Sequence, residues 1–296
     1  MAEAYSDFAR VYDELMDNTP YEEWCDTITS LISEYGISRP VRDEETIGEE
    51  LFGEKGEPVE EVLEEALLES ERNLVLDLGC GTGTLTELLY RKGFDMIGVD
   101  VSEEMLEVAM EKRAESGSEI LYLQQDMRDL ELYSTVGTVI SVCDSLNYLL
   151  EEEELLQTFR LVNNYLYPGG LFLFDFNTVY KYSRIIGDTT IAENREDCSF
   201  IWENYYHEEE EINEYELTIF VQEEGEHFRR FTENHLQRGY TPETMCRLVE
   251  EAGMRVIRLL DADTLQDITE ESERVYVLAR EQGKKEAATA KGDEWK

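Results

Sequence analysis

The chain predicts an α/β fold with a doubly wound, mainly parallel sheet, on three observations. Between residues 74 and 175, apolar runs of strand length alternate with segments of helical periodicity. A glycine-rich turn, Gly79-Cys80-Gly81-Thr82-Gly83, joins the first of those strands to the next helix. The strands that follow run into acids, at Asp100, Asp126 and Asp144. Strand–helix alternation lays parallel strands side by side with helices on both faces, and any ligand sits at the carboxyl ends of the strands. A tight glycine turn leading into a helix N-terminus brings backbone against such a ligand.

Ahead of this core, Tyr5, Phe8, Tyr12, Leu15 and Met16 fall on one helical face. Thr19-Pro20-Tyr21-Glu22 joins a capping-box pattern to a proline at the first helical position, starting a helix through Trp24, Ile28, Leu31 and Ile32. Residues 41–72 are strongly acidic, and Pro58–Glu71 has the spacing of an amphipathic helix on Val59, Val62, Leu63, Ala66 and Leu67. The core then reads as strand 74–78, broken only by Asp77, helix 84–92 ended by Gly93, strand 95–100 and helix 103–115 with Ser102 as N-cap. Strands 119–123 and 137–143, helix 151–166 and strand 170–175, entered through Pro168-Gly169-Gly170, complete the alternation. Residues 180–240 depart from it. Segments 199–206, 212–222 and 227–237 are rich in aromatic and β-branched residues, with a turn at Glu223-Glu224-Gly225, and read as an antiparallel set. Helix 241–252, with a threonine N-cap and Gly253 as C-cap, leads to strands 255–260 and 274–279. The domain plan is thus a helical flap at 1–40, an acidic insertion at 41–72, the core at 73–179, an antiparallel lid at 180–240, the end of the core at 241–280 and a disordered tail at 281–296.

Composition narrows the partners. With 69 acidic and 26 basic side chains the formal net charge is -43. Such a field repels nucleic acid and anionic membranes, whose binders cluster Lys and Arg, and it suits a small or cationic partner. Five cysteines, at 25, 80, 143, 198 and 246, show no metal-binding spacing and read as reduced thiols. No apolar run reaches the length of a membrane span, so the expected location is the cytoplasm.

The glycines narrow the ligand. The dinucleotide fingerprint is G-x-G-x-x-G; here the spacing is G-x-G-x-G, with an acid inside the preceding strand. In this, VLDLGCGTGTL resembles motif I of the class I S-adenosylmethionine (SAM)-dependent methyltransferases. That resemblance implies a Rossmann-like, seven-stranded, mostly parallel sheet whose last pair forms an antiparallel edge, with SAM as cofactor. It assigns the donor to Asp77, Gly79, Cys80, Gly81 and Gly83 in the turn and to Asp100, which in the family chelates the ribose hydroxyls, with Val101 and Met105 beside it. Asp126 takes the adenine amino group and the Met127 amide reads the ring. The end of the fourth strand lies beneath the sulfonium, where Asp144 meets the methionyl ammonium or an acceptor amine. FARVYDELMDNTPYEEW also resembles the N-terminal flap of a bacterial subgroup of small class I methyltransferases. In that role Tyr12 meets the methionyl end or the reacting group; otherwise it packs. Residues 180–240 correspond to a β lid over the substrate, and FTENHLQRGYTPETM to its return. Against the family, 41–72 is an insertion, either lid, partner surface or passive extension.

Methyl transfer from a sulfonium needs alignment and desolvation more than strong acid or base. Cys143-Asp144-Ser145-Leu146-Asn147-Tyr148 is not the N-P-P-Y motif of nucleic-acid amino methyltransferases. Asn147 and Tyr148 either orient the acceptor or, respectively, cap the next helix and pack. Of the three histidines, all in the lid, His235 is the base candidate, beside Arg238 and Tyr240. Arg238 and Arg230 are candidates for a substrate carboxylate or phosphate. No metal cluster is legible. The expected activity is methyl transfer to nitrogen or oxygen of a small molecule, amines included; a non-catalytic SAM-binding protein and an RNA methyltransferase are the alternatives, the last requiring a basic groove.

Overall fold

The computed structural model describes residues 9–16, 19–40, 60–223 and 225–284; residues 41–59 of the acidic segment and 285–296 of the expected tail lie outside them. The tail boundary expected at 281 falls too early, because the last strand pairs through a buried Glu281. Helices α1 (Ala9–Leu15), α2 (Tyr21–Tyr35) and α3 (Glu60–Asn73) precede β1 (Val75–Leu78). The chain then alternates α4 (Thr84–Arg91), β2 (Met96–Asp100), α5 (Glu103–Ser116), β3 (Leu121–Gln124), β4 (Val136–Ser141), α6 (Glu152–Tyr165) and β5 (Leu166–Asn177). Four strands follow, β6 (Thr190–Asn194), β7 (Cys198–His207), β8 (Ile212–Gln222) and β9 (Phe228–Arg238), before α7 (Pro242–Glu251), β10 (Met254–Asp261) and β11 (Arg274–Glu281).

Seven strands form one sheet in the order β10-β11-β5-β4-β1-β2-β3. The order reverses between β1 and β4, which pair in parallel and so open a crevice at their carboxyl ends. The last two strands form the expected antiparallel edge pair. β11 runs antiparallel to β5 and β10 antiparallel to β11, so β10 is again parallel to the core and only β11 is reversed, inside the sheet. Both faces are covered. Phe159, Val162, Met245 and Leu248 of α6 and α7 pack on Leu76, Phe172 and Phe174, while Ile28, Ile32, Leu85 and Leu89 of α2 and α4 pack on Val75, Ile140 and Leu173. Each such side chain contributes about 1.5–3 kcal/mol on burial, which explains why the middle strands read as unbroken apolar runs.

The second sheet has the order β6-β7-β8-β9, fully antiparallel. Tyr215, Leu217 and Ile219 on its inner face pack with Ala9 and Val11 of α1 and Met105 of α5. Strand β6 and a π-helical turn at Lys181–Ile186 were not legible, because Thr190–Asn194 is largely exposed and shows no apolar alternation.

Helix ends follow their chemistry with one exception. Ser102 caps α5 by accepting from the Met105 N–H, and Thr241 caps α7 ahead of Pro242. The capping box expected at Thr19 does not form: Pro20 is the N-cap residue of α2, and the Thr19 hydroxyl turns back to Met16 Sδ while its N–H donates to Met16 O.

Helix α3 forms where the acidic segment predicted one, but Leu67, expected on its apolar face, is 64% exposed. Its carboxyl end docks tightly on β4. The Arg72 carbonyl accepts from Ser38 Oγ and passes 1.7 Å from where a Cβ on Gly137 would stand. Gly137→Ala is therefore expected to destabilise the fold by about 1–3 kcal/mol, read as a lowered urea midpoint with an unchanged slope.

Candidate functional site

The crevice at the switch point is a cleft lined from the glycine turn, the ends of β2 and β4, and helix α1. Its floor is the glycine turn. Gly79, Gly81 and Gly83 have φ of +83°, +54° and +72°, the left-handed region that glycine enters without a Cβ penalty. A Cβ on Gly79 would strike Ser145 and one on Gly83 the Tyr122 hydroxyl, whereas one on Gly81 meets nothing within 4 Å. Gly79, Cys80 and Gly81 line the cleft; Gly83 instead starts α4 behind it.

Three carboxylates stand around that floor. Asp77, on β1, is 2% exposed and accepts from Thr86 Oγ1 at 2.7 Å. Burial pushes its carboxyl up to about 7, against the Thr86 hydrogen bond. Asp100 ends β2 and accepts from the Gly81 N–H at 2.8 Å and the Ser102 N–H at 2.9 Å, one on each oxygen. Burial also raises Asp100, and those amides oppose the rise. Asp126 is held below the ordinary carboxylate range by Arg128, whose Nε donates to it at 2.9 Å and which also reaches Glu154. Val101, Met105 and Met127 supply apolar wall beside these acids.

The flap closes the opposite side. Tyr12 and Tyr21 both line the cleft. Between them Asp13 accepts from Thr82 Oγ1 at 2.8 Å and Thr84 Oγ1 at 3.0 Å, and Lys112 pairs with its other oxygen at 2.6 Å. Helix α1 is thereby fastened to the glycine turn itself.

The segment after β4 departs from expectation. Cys143 and Asp144 both have positive φ, 61° and 54°, at a cost of roughly 1–3 kcal/mol each. Their N–H groups donate to the buried Asp175 of β5, whose carboxylate lies 3.7 Å from Arg274 Nε. The Asp144 carboxylate is not in the cleft wall; it accepts from Gln237 of the lid, and burial raises its pKa. Asn147 is corrected too. It is fully buried, its Nδ2 donates to Asn177 O at 2.9 Å and Arg238 O at 2.7 Å, and its Oδ1 accepts from the Asn177 N–H. With every amide position engaged it staples this turn to β5 and β9, and it neither faces an acceptor nor caps α6, whose N-cap residue is Glu151. Tyr148 does line the cleft, and His235 stands behind it at 3.1 Å rather than in the wall. Arg238 is occupied by Leu150 O and Glu211, and Arg230 reaches Thr218.

Comparison with known proteins agrees with this geometry. A family model described as a methyltransferase domain matches residues 75–170. A provisionally assigned methyltransferase of Geobacillus sp. (strain WCH70) is 34% identical over 276 residues, spanning 93% of this chain and 99% of the relative. The crystal structure of an S-adenosylmethionine-dependent methyltransferase from Clostridium acetobutylicum ATCC 824 superposes with a TM-score of 0.75 at 27% identity, over 94% of this chain and 99% of that one. This chain belongs to the SAM-dependent methyltransferases. A dTDP-3-amino-3,4,6-trideoxy-alpha-D-glucopyranose N,N-dimethyltransferase of Streptomyces venezuelae is 34% identical over 101 residues, 34% of this chain and 41% of its own.

Sequence reasoning missed four residues of the methyltransferase's site. In the sequence Tyr21 reads only as part of a helix start, and Asp13, Asp175 and Gln237 receive no role. A buried acid within an all-apolar strand, as in LFLFDFN, is the signal that singles out Asp175. Among the described residues no group of three or more His, Cys, Asp or Glu is placed to hold a metal, and no helix is long and apolar enough to cross a membrane.

The raised Asp77 gives the enzyme a pH signature. Its carboxyl binds a proton more tightly in the fold than in the unfolded chain, so folding takes up a proton between 3.8 and about 7 and stability falls as pH rises through that window. Asp77→Asn removes this dependence. The variant is expected to gain stability relative to the parent as pH rises across the window, at up to about 1.4 kcal/mol per pH unit, in paired urea titrations.

Proposed function

We propose that the enzyme transfers the methyl group of SAM to a nitrogen or oxygen atom of a small molecule held between the cleft and the antiparallel lid. SAM supplies a methyl group on a positively charged sulfur, open to in-line displacement. The cleft suits that donor. Val101, Met105 and Met127 offer apolar surface for a purine, with the Asp126 carboxylate and the Met127 backbone at its edge. Asp100 would hold the ribose hydroxyls, and the bare backbone of Gly79 and Gly81, with Asp77 beneath, would receive the amino-acid end under Tyr12.

The observation that carries this reading is Asp100. Both its oxygens are aimed by backbone amides on the cleft floor, a geometry that presents a carboxylate to a vicinal diol. For the acceptor, the support is chemical. A formal charge of -43 opposes anionic polymers and leaves small neutral or cationic molecules. The amino-sugar dimethyltransferase that shares part of the core acts at nitrogen, which favours amines among the candidates. Five cysteines without metal-binding spacing suit work in the reducing cytoplasm.

Calorimetry with S-adenosylhomocysteine is expected to give saturable binding that Asp100→Ala weakens about 10–100-fold, the loss of charged hydrogen bonds worth about 1.5–3 kcal/mol. Mass spectrometry of a whole cell extract, macromolecules included, incubated with the enzyme and isotopically labelled SAM is expected to show label in a small hydroxyl- or amine-bearing compound. Label confined to RNA or protein would replace the small-molecule reading.

A further inference from the structure

Strand β9 breaks the rule that the covered face of a strand is apolar. Glu233, His235 and Gln237 alternate along its inner face at 6%, 2% and 3% exposure. Polar groups buried in this way cost stability unless paired, and a fold retains them where chemistry or specificity requires them. Gln237 is engaged by Asp144 and Tyr182. His235 and Glu233 lead elsewhere. His235 Nδ1 lies 3.1 Å from the Tyr148 hydroxyl, and its Nε2 lies 3.4 Å from Glu233 Oε2. Tyr215, opposite His235 in the β8–β9 register, stacks on the imidazole at 4.7 Å and sets its own hydroxyl 2.9 Å from that of Tyr148. Tyr148 lines the cleft with Cys143, Ser145 and Leu149. A carboxylate, an imidazole and a phenol thus run in line from the buried interior of the lid to the cleft wall.

We infer that Tyr148 is the catalytic residue that takes the acceptor's proton, with His235 and Glu233 as its relay; this rests on the methyl-transfer reading above. As the acceptor's lone pair bonds to the methyl carbon, the carbon–sulfur bond breaks with its electron pair on sulfur. The proton leaving the acceptor nitrogen or oxygen passes to Tyr148 Oη while the phenolic proton moves to His235 Nδ1. The resulting imidazolium faces the Glu233 carboxylate and holds the proton until product leaves. Burial keeps the Tyr215 phenol protonated, its pKa raised, so its hydroxyl can donate to Tyr148 when the latter carries negative charge. The relay requires His235 in its Nε2–H tautomer, with Nδ1 as acceptor toward Tyr148. It also sets the acceptor class: a hydroxyl or an amine bearing a hydrogen, and not a tertiary amine or a thioether, which have no proton to give.

Two measurements test the relay. The first needs no acceptor: nitrogen NMR of ¹⁵N-histidine-labelled protein with S-adenosylhomocysteine, with Tyr148→Phe and His235→Gln assigning the signal. The expected result is an Nε2–H tautomer whose Nδ1 resonance moves in Tyr148→Phe; an Nδ1–H tautomer, or no response to Tyr148→Phe, overturns the relay. The second uses the acceptor fraction that takes label from SAM. Tyr148→Phe and His235→Ala are expected to lower kcat about 10²–10⁴-fold with S-adenosylhomocysteine affinity preserved, and added imidazole to restore part of the His235→Ala rate. Wild-type rates in both variants would overturn the relay while leaving methyl transfer standing, whereas absence of label transfer by the wild type, with the tautomer as expected, counts against the small-molecule reading instead.

Discussion

One buried carboxylate holds the site's parts in place. Asp175 accepts the N–H groups of Cys143 and Asp144, two successive residues in a backbone region that side chains disfavour. Its charge is met by Arg274 of β11, whose guanidinium lies 4.4 Å above the Trp24 ring of α2. A cation over an indole face in a partly dry setting contributes about 0.5–2 kcal/mol, so the strain in one loop is offset by contacts reaching three other elements. The turn that follows presents Ser145 and Tyr148 to the cleft because this anchor fixes where it starts, and Asn147 fixes where it ends.

Two independent coverings then meet over the crevice. From one side α1 is bound through Asp13 to the threonines of the glycine turn; from the other the lid sheet rests on α1 and α5 through Tyr215, Leu217 and Ile219. Among the described residues, the apolar cluster joining flap and lid has fewer members than either of the two that flank the main sheet.

What was legible in the sequence was whatever repeats. Strand–helix alternation, the glycine spacing and acids at strand ends gave the sheet and one wall of the cleft, because each follows from local geometry. Asp77, Gly79, Asp100, Met105 and Met127 lie where the motifs put them. What was illegible depends on partners distant in sequence. Nothing around Asn147 says that its amide is consumed by residues 177 and 238, and nothing around Asp13 points to Thr82. Strand β6 escaped because an exposed edge needs no apolar alternation, and the insertion of β11 between β5 and β10 because the order of strands in a sheet is not the order in the chain.

That insertion bears on how the site is held. β11 follows every other described strand in sequence, yet it lies in the middle of a half-sheet, between β5 and β10. Until it has been synthesised, β5 has an open edge, Asp175 lacks its cation and the Trp24 ring has nothing above it. A chain without β11 would keep the residues of the glycine turn but lack the cation that meets Asp175 beneath the turn after β4. Strand β11 completes that anchor, so the loop beside the cleft depends on a strand far from the glycine motif in sequence.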